Sequence, residues 1–176
     1  ILPCSALITE LKSLRVGELL EKDGETLAFR SAAFDTKKLN KIDSHAAINT
    51  LENVWGIFSD NDREIKRDFT LLTKKRKSQP LEENNTLLGT EIFIEKGAKV
   101  NCSILNAENG PIYIGKNAEV MEGSIIRGPF AMGENAVLKM GTKIYGATTL
   151  GPHCKVGGEV NNSVFLAILP KHMMGS

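Results

Sequence analysis

Residues 110–158 read Gly110-PIYIGKNAEVMEGSIIRGPFAMGENAVLKMGTKIYGATTLGPHCKVG-Gly158, and their spacing decides the fold. Large aliphatic residues fall at Ile114, Val120, Ile126, Met132, Leu138, Ile144, Leu150 and Val156, eight positions in steps of six. Two residues before each stands another inward-type residue: Ile112, Ala118, Ser124, Phe130, Ala136, Thr142, Thr148 and Cys154. Six is neither the helical period nor plain strand alternation. It suits a short strand and a corner, repeated around a triangular coil.

A second period supports the triangle. Gly115, Gly133 and Gly151 recur at 18, as do Gly123 with Gly141 and Gly128 with Gly146, so each of three faces keeps its own signature. One corner series holds Gly97, Asn117, Asn135 and His153, residue types that tolerate a left-handed backbone. Its first copy is offset by 20, which puts two extra residues in the Asn106 to Pro111 loop. One coil cannot bury its own inner face, and stacking buries a continuous ladder. The expected fold is mainly β: a left-handed parallel β-helix over residues 81–165, with a small α/β segment before it. Residues 1–90 are expected to cover its N-terminal end.

Residues 1–80 have a different, charged grammar. Leu7, Leu11, Leu14 and Leu19 lie near helical spacing, interrupted by Gly17. Asp23-Gly24 signals a turn, Thr26 to Arg30 a short strand, and Ala46 to Leu51 a helix. The basic run Lys74-Lys75-Arg76-Lys77 reads as a solvated linker face, since no aromatic residues interleave to favour nucleic acid.

Hydrophobic content is 41% and the net charge +1, an ordinary composition with no membrane-length apolar run. No basic n-region marks a signal peptide at Ile1 to Ala6. Beginning with Ile fits processing, trimming or a piece of a longer protein. Cys4, Cys102 and Cys154 are too scattered for a disulfide framework or a Cys-x-x-Cys metal site, which suits reduced thiols in a cytoplasm. His45, His153 and His172 are not at zinc-ligand spacing.

The repeats, with Trp55-Gly56-Ile57-Phe58, Arg67-Asp68-Phe69, Gly110-Pro-Ile-Tyr-Ile-Gly115, Glu119-Val-Met-Glu-Gly-Ser124, Arg127-Gly-Pro129, Leu138-Lys-Met-Gly141, Ile144-Tyr-Gly-Ala-Thr-Thr149 and Gly151 to Asn162, resemble one bacterial family over residues 50–165. It is the hexapeptide-repeat sugar-1-phosphate nucleotidyltransferases, related to the bifunctional N-acetylglucosamine-1-phosphate uridyltransferase/glucosamine-1-phosphate acetyltransferase. The resemblance implies a nucleotide-binding domain with a Gly-rich phosphate loop, Mg and a nucleoside triphosphate for the full-length family, and a homotrimer. No such loop is found here. Residues 1–80 therefore read as the tail of that domain and its linker, and this chain reads as a fragment without the nucleotidyl-transfer site or a cofactor of its own. The activity implied is glucose-1-phosphate thymidylyltransferase- or N-acetylglucosamine-1-phosphate uridyltransferase-like. The alternatives are a hexapeptide-repeat acyltransferase using acetyl-CoA, or a non-catalytic trimerising scaffold. No nucleic acid or membrane partner is expected.

After Phe165 the grammar stops. Residues 166–176 read as a frame-shifted continuation, because codons for His172-Met-Met-Gly175 give His-Asp-Gly or Tyr-Asp-Gly two bases later. The alternative is a native or vector-derived tail. Acyltransferases of this fold use a His as general base in a cleft between subunits, and His153 is the only His in the repeats, at a corner position. Arg127, Lys139, Lys143 and Tyr145 fall on outward or corner positions suited to phosphate, or to a solvated face. Asn161 and Asn162 fit either a cleft lining or a stacking ladder. Cys154, in the inward series, reads as a buried small hydrophobe.

Overall fold

A computed structural model describes residues 5–32, 38–48, 50, 51 and 53–166, and the chain divides into two compact units, Ile1–Val54 and Trp55–Ser176. Cys4, His172 and the tail beyond Leu166 lie outside the described residues.

In the first unit, helix α1 (Ser5–Ser13) precedes a three-stranded sheet in the order β2-β1-β3. Strands β1 (Glu18–Lys22) and β2 (Glu25–Arg30) form an antiparallel hairpin, and β3 (Asn40–Asp43) lies parallel on the other edge of β1. The hairpin turns at Asp23 and Gly24 with φ of 52° and 82°, the paired positive angles that match the right-handed twist of a hairpin. Leu7 and Leu14 pack with Leu20 and Ala46 into the core.

Two sequence expectations fail here. Leu19 belongs to β1, not to a helix. The helix already ends at Ser13, and Gly17 at φ 97° donates its N–H to the Arg30 carbonyl at 2.7 Å as the chain joins the sheet. The described residues between Ala46 and Leu51 are not helical. Ala46 is instead buried, with its carbonyl accepting from Lys22 Nζ.

The second unit begins with two helices the sequence reading passed over, α2 (Gly56–Ser59) and α3 (Asn61–Thr73). Then the chain visits three parallel sheets in turn, an arrangement consistent with a three-sided parallel β-helix. Face A comprises β4 (Thr86–Leu88), β7 (Ile104–Asn106), β10 (Ile125–Arg127), β13 (Lys143–Tyr145) and β16 (Glu159–Asn161). Face B comprises β5 (Ile92–Ile94), β8 (Ile112–Ile114), β11 (Phe130–Met132), β14 (Thr148–Leu150) and β17 (Val164–Phe165). Face C comprises β6 (Lys99–Val100), β9 (Glu119–Val120), β12 (Val137–Leu138) and β15 (Lys155–Val156).

All sixteen residues of the two inward series are buried, none more than 8% exposed. The polar members are satisfied: Thr142 Oγ1 donates to the Lys139 carbonyl at 2.5 Å, and Ser124 Oγ to that of Met121 at 2.8 Å. The corner series turns as its residue types require, with φ of 83° at Gly97, 54° at Asn117, 56° at Asn135 and 62° at His153. Successive corners stack so closely that a Cβ on Gly115 would meet the Met132 carbonyl oxygen at 2.7 Å. The Asn106–Pro111 loop carries the extra length: Ile112 pairs with Ile92 before it and Phe130 after it, at unequal separations. Beyond Val156 the step of six ends, since Glu159 already pairs with Lys143.

Within this unit, residues 78–85 carry the capping expected of the whole N-terminal region. Gln79 donates its N–H to the Ile94 carbonyl (2.8 Å) and its amide to that of Ala98 (3.0 Å), and accepts from the Gly97 N–H (2.8 Å). Asn85 likewise bridges the Val100 carbonyl and the Ser103 N–H, and Leu81 packs on the core. The first coil's backbone groups thus gain partners that they would otherwise lack.

Candidate functional site

Strand alternation on face A sends Leu105, Ile126, Ile144 and Val160 inward and two columns of side chains outward. The first column is Ile104, Ile125, Lys143 and Glu159, paired strand to strand. The second joins Asn106 to Arg127 and Tyr145 to Asn161. Neighbouring strands lie about 4.8 Å apart, so Arg127, Lys143, Tyr145 and Asn161 share one surface a few strands wide. The Tyr145 hydroxyl donates to the Glu159 carboxylate, which pushes the phenol above its ordinary value, and partial burial adds to the shift. Neither Arg127 nor Lys143 has an ion-pair partner among the described residues. Two unpaired cations beside a phenol and an amide can hold an anionic oxygen group. The same surface carries exposed apolar groups, Ile104 at 38% and Ile125 at 43%.

The other sequence candidates stand elsewhere. Lys139 is at the corner after β12, its N–H donating to the Val156 carbonyl at 2.8 Å and its stem lying over Gly157. Asn162 turns a corner at φ 44°, and its Oδ1 accepts from the Ala147 N–H at 3.0 Å. His153 is exposed at the corner between faces B and C, its N–H bonded to the Glu134 carbonyl at 2.9 Å. Cys154 is buried, with Sγ 3.0 Å from the Leu166 carbonyl oxygen. The geometry therefore gathers Arg127, Lys143, Tyr145 and Asn161, with Asn162 at the adjoining corner against Gly146, and places Lys139 and His153 at other corners.

Helix α3 lies along the outward row of face B. At one end Asn61 is buried, its amide donating to the Ala147 carbonyl at 2.9 Å and accepting from Thr149 Oγ1 at 2.7 Å. Beyond the other end Arg76 donates to Glu95 at 2.5 Å and lies 5.2 Å over the Phe93 ring, which stacks on Tyr113 at 5.7 Å. Tyr113 also donates to Glu95 at 2.5 Å. Burial alone would raise the Glu95 carboxyl, but the bonds from Tyr113 and Arg76 outweigh it and hold the group below its ordinary range. All four residues of the basic run are exposed, as expected of a solvated linker face, and Arg76 in addition pairs with Glu95. The sequence carried a signal for α3 in Ile65, Phe69 and Leu72 at helical spacing and in the Asp62–Lys66 ion pair (2.6 Å).

Residues 1–77 match the sugar nucleotidyl transferase family. The match takes in the first unit, both helices and the basic run, and overlaps the sequence resemblance at Trp55-Gly56-Ile57-Phe58 and Arg67-Asp68-Phe69. It thus supports a sugar nucleotidyltransferase-like origin from the opposite end of the chain to the repeats. No curated protein matches this chain. Among the described residues no helix is long and apolar enough to cross a membrane, and no cluster of three metal-ligating side chains occurs.

Proposed function

We propose that this chain is part of a sugar-1-phosphate nucleotidyltransferase of the thymidylyl- or uridylyl-transferring kind, working in a cytoplasm. Residues 81–165 form a left-handed, hexapeptide-repeat β-helix that assembles three copies and presents face A to an anionic sugar phosphate or nucleotide sugar. The observation that carries this reading is the sugar nucleotidyl transferase match over residues 1–77, which ends in sequence just before the coils. The exposed Ile104 and Ile125 column supports contact between copies. Arg127 and Lys143, without an ion pair among the described residues and near Tyr145 and Asn161, support recognition of phosphate oxygens.

Mg and a nucleoside triphosphate belong to the full-length activity. Among the described residues no three acidic or metal-binding side chains converge, and we assign neither group to them. An acetyl-CoA-dependent acyltransferase would need its base at His153, which stands at a corner away from the face A cations.

Light scattering of the full chain tests the assembly, with three times the monomer mass expected for wild type and dissociation in Ile125→Asp. Calorimetry with glucose-1-phosphate and a UDP-sugar tests the face, with binding lost in Arg127→Ala. A well-folded monomer overturns the assembly. Pyrophosphate release from dTTP or UTP with a sugar-1-phosphate would overturn the placement of the transfer site outside these residues, and heat with acetyl-CoA would favour acyl transfer.

A further inference from the structure

The outward row of face B tapers. It runs from Phe93 and Tyr113 on β5 and β8 to Ala131 and Thr149 on β11 and β14. Helix α3 is tied down at both ends of this row, by Asn61 at Thr149 and by Arg76 beyond its last turn at Glu95. Thirteen helical residues extend about 20 Å, more than the roughly 14 Å across the three intervals from β14 to β5. The helix spans the small side chains with Ile65 buried. A groove of about 320 Å³ remains beneath it, floored by Ala131, Met132 and Gly133 and walled by Phe69 and Leu72. That volume is at the lower end of small-molecule sites, roughly 300 Å³.

Asp68 lines the same groove. The nearby Glu64 is engaged by Arg63 at 3.2 Å and Arg67 at 3.4 Å, Lys66 by Asp62, and Arg76 by Glu95. Asp68 has no ion pair among the described residues. Burial and then the Glu64 charge hold its carboxyl above the ordinary range, and Arg67 offsets this only in part. The groove thus combines apolar walls with a carboxylate at its solvent-exposed rim that has no ion pair among the described residues, an arrangement that a cation complements and an anion does not.

We propose that the groove between α3 and face B binds a small cationic amphiphile, its ammonium at Asp68 and its apolar body over Ala131 between Phe69 and Leu72. This site is separate from face A and independent of the proposed transferase reading. Hexylammonium, 1-hexanol and hexanoate titrated into the full chain by NMR provide the test. Hexylammonium should bind up to about fivefold tighter than hexanol, the range of a partly exposed ion pair, with hexanoate weakest. Asp68→Asn, an exposed helical substitution, should make hexylammonium and hexanol equal while leaving hexanol unchanged. Ala131→Leu should weaken all three by filling the floor. Equal binding of hexylammonium and hexanol to wild type, a preference that survives Asp68→Asn, or no groove shifts with any of the three overturns the proposal.

Discussion

Residues 1–54 and residues 55–166 bury their apolar groups by different rules. In the first unit the core is collected from a helix, the central strand of a small sheet and loops: Leu7, Leu14, Leu20 and Ala46 meet although no single period links all four. In the second unit nearly every core position is the next step of one period, and each coil's inner residues touch those above and below. A periodic core repeats one local solution, so its cost of error is set by the stack. A collected core depends on each long-range contact once. The first unit should thus fail as a whole, and the second through the coil that is struck.

The largest expected effect breaks the coils alone. Phe130→Ala empties a fully buried position on β11 and should cost about 3–5 kcal/mol. Thermal unfolding followed by circular dichroism should show the coil transition moved down, with hydrogen exchange of β1 and β2 unchanged. Leu20→Ala, also buried, should cost about 2–5 kcal/mol in the first unit and leave exchange on faces A to C as before. If either substitution weakens both units equally, the distinction between the two cores fails.

A sharper contrast lies between glycines. Gly115→Ala pushes a Cβ into backbone at 2.7–2.9 Å and should cost about 1–3 kcal/mol by denaturant unfolding. Gly17→Ala meets nothing within 4 Å but stands at φ 97°, so only the backbone angle opposes it, at about 1 kcal/mol. A more costly Gly17 substitution would show that the first unit, not the coil, has the tighter backbone.

Acid should loosen one contact specifically. Glu95 is held below its ordinary range in the fold, so its contribution is complete above the unfolded-state value and is lost as pH falls through the lower folded value. Arg76 should then leave Phe93, as read from ring-proton shifts, and Glu95→Gln should remove that acid dependence. The smallest effect belongs to His153→Asn, which restores the residue found at Asn117 and Asn135 and should shift stability by less than about 0.5 kcal/mol.

How far a region could be read follows from the same contrast. The inward series and the corner angles were legible to the residue, because a coil places position n over the equivalent position of the coil before it. Leu19 and the stretch from Ala46 were misread, because helical spacing over a few residues cannot compete with a strand partner brought in from Arg30 or a carbonyl claimed by Lys22. Helix α3 was legible in principle, through Ile65, Phe69 and Leu72, but only its docking on face B gives those residues something to cover.

By itself the sequence determined the period, the three-face alternation, the corner residues and the inserted loop, since each follows from local sterics and from which side chains must avoid water. Only the tertiary structure decided which outward residues share a surface. Arg127 on β10, Lys143 and Tyr145 on β13 and Asn161 on β16 lie on three successive coils and meet through strand register, while His153, near Tyr145 in sequence, turns a different corner. Proximity across coils is set by backbone pairing between strands, which no single stretch of residues encodes.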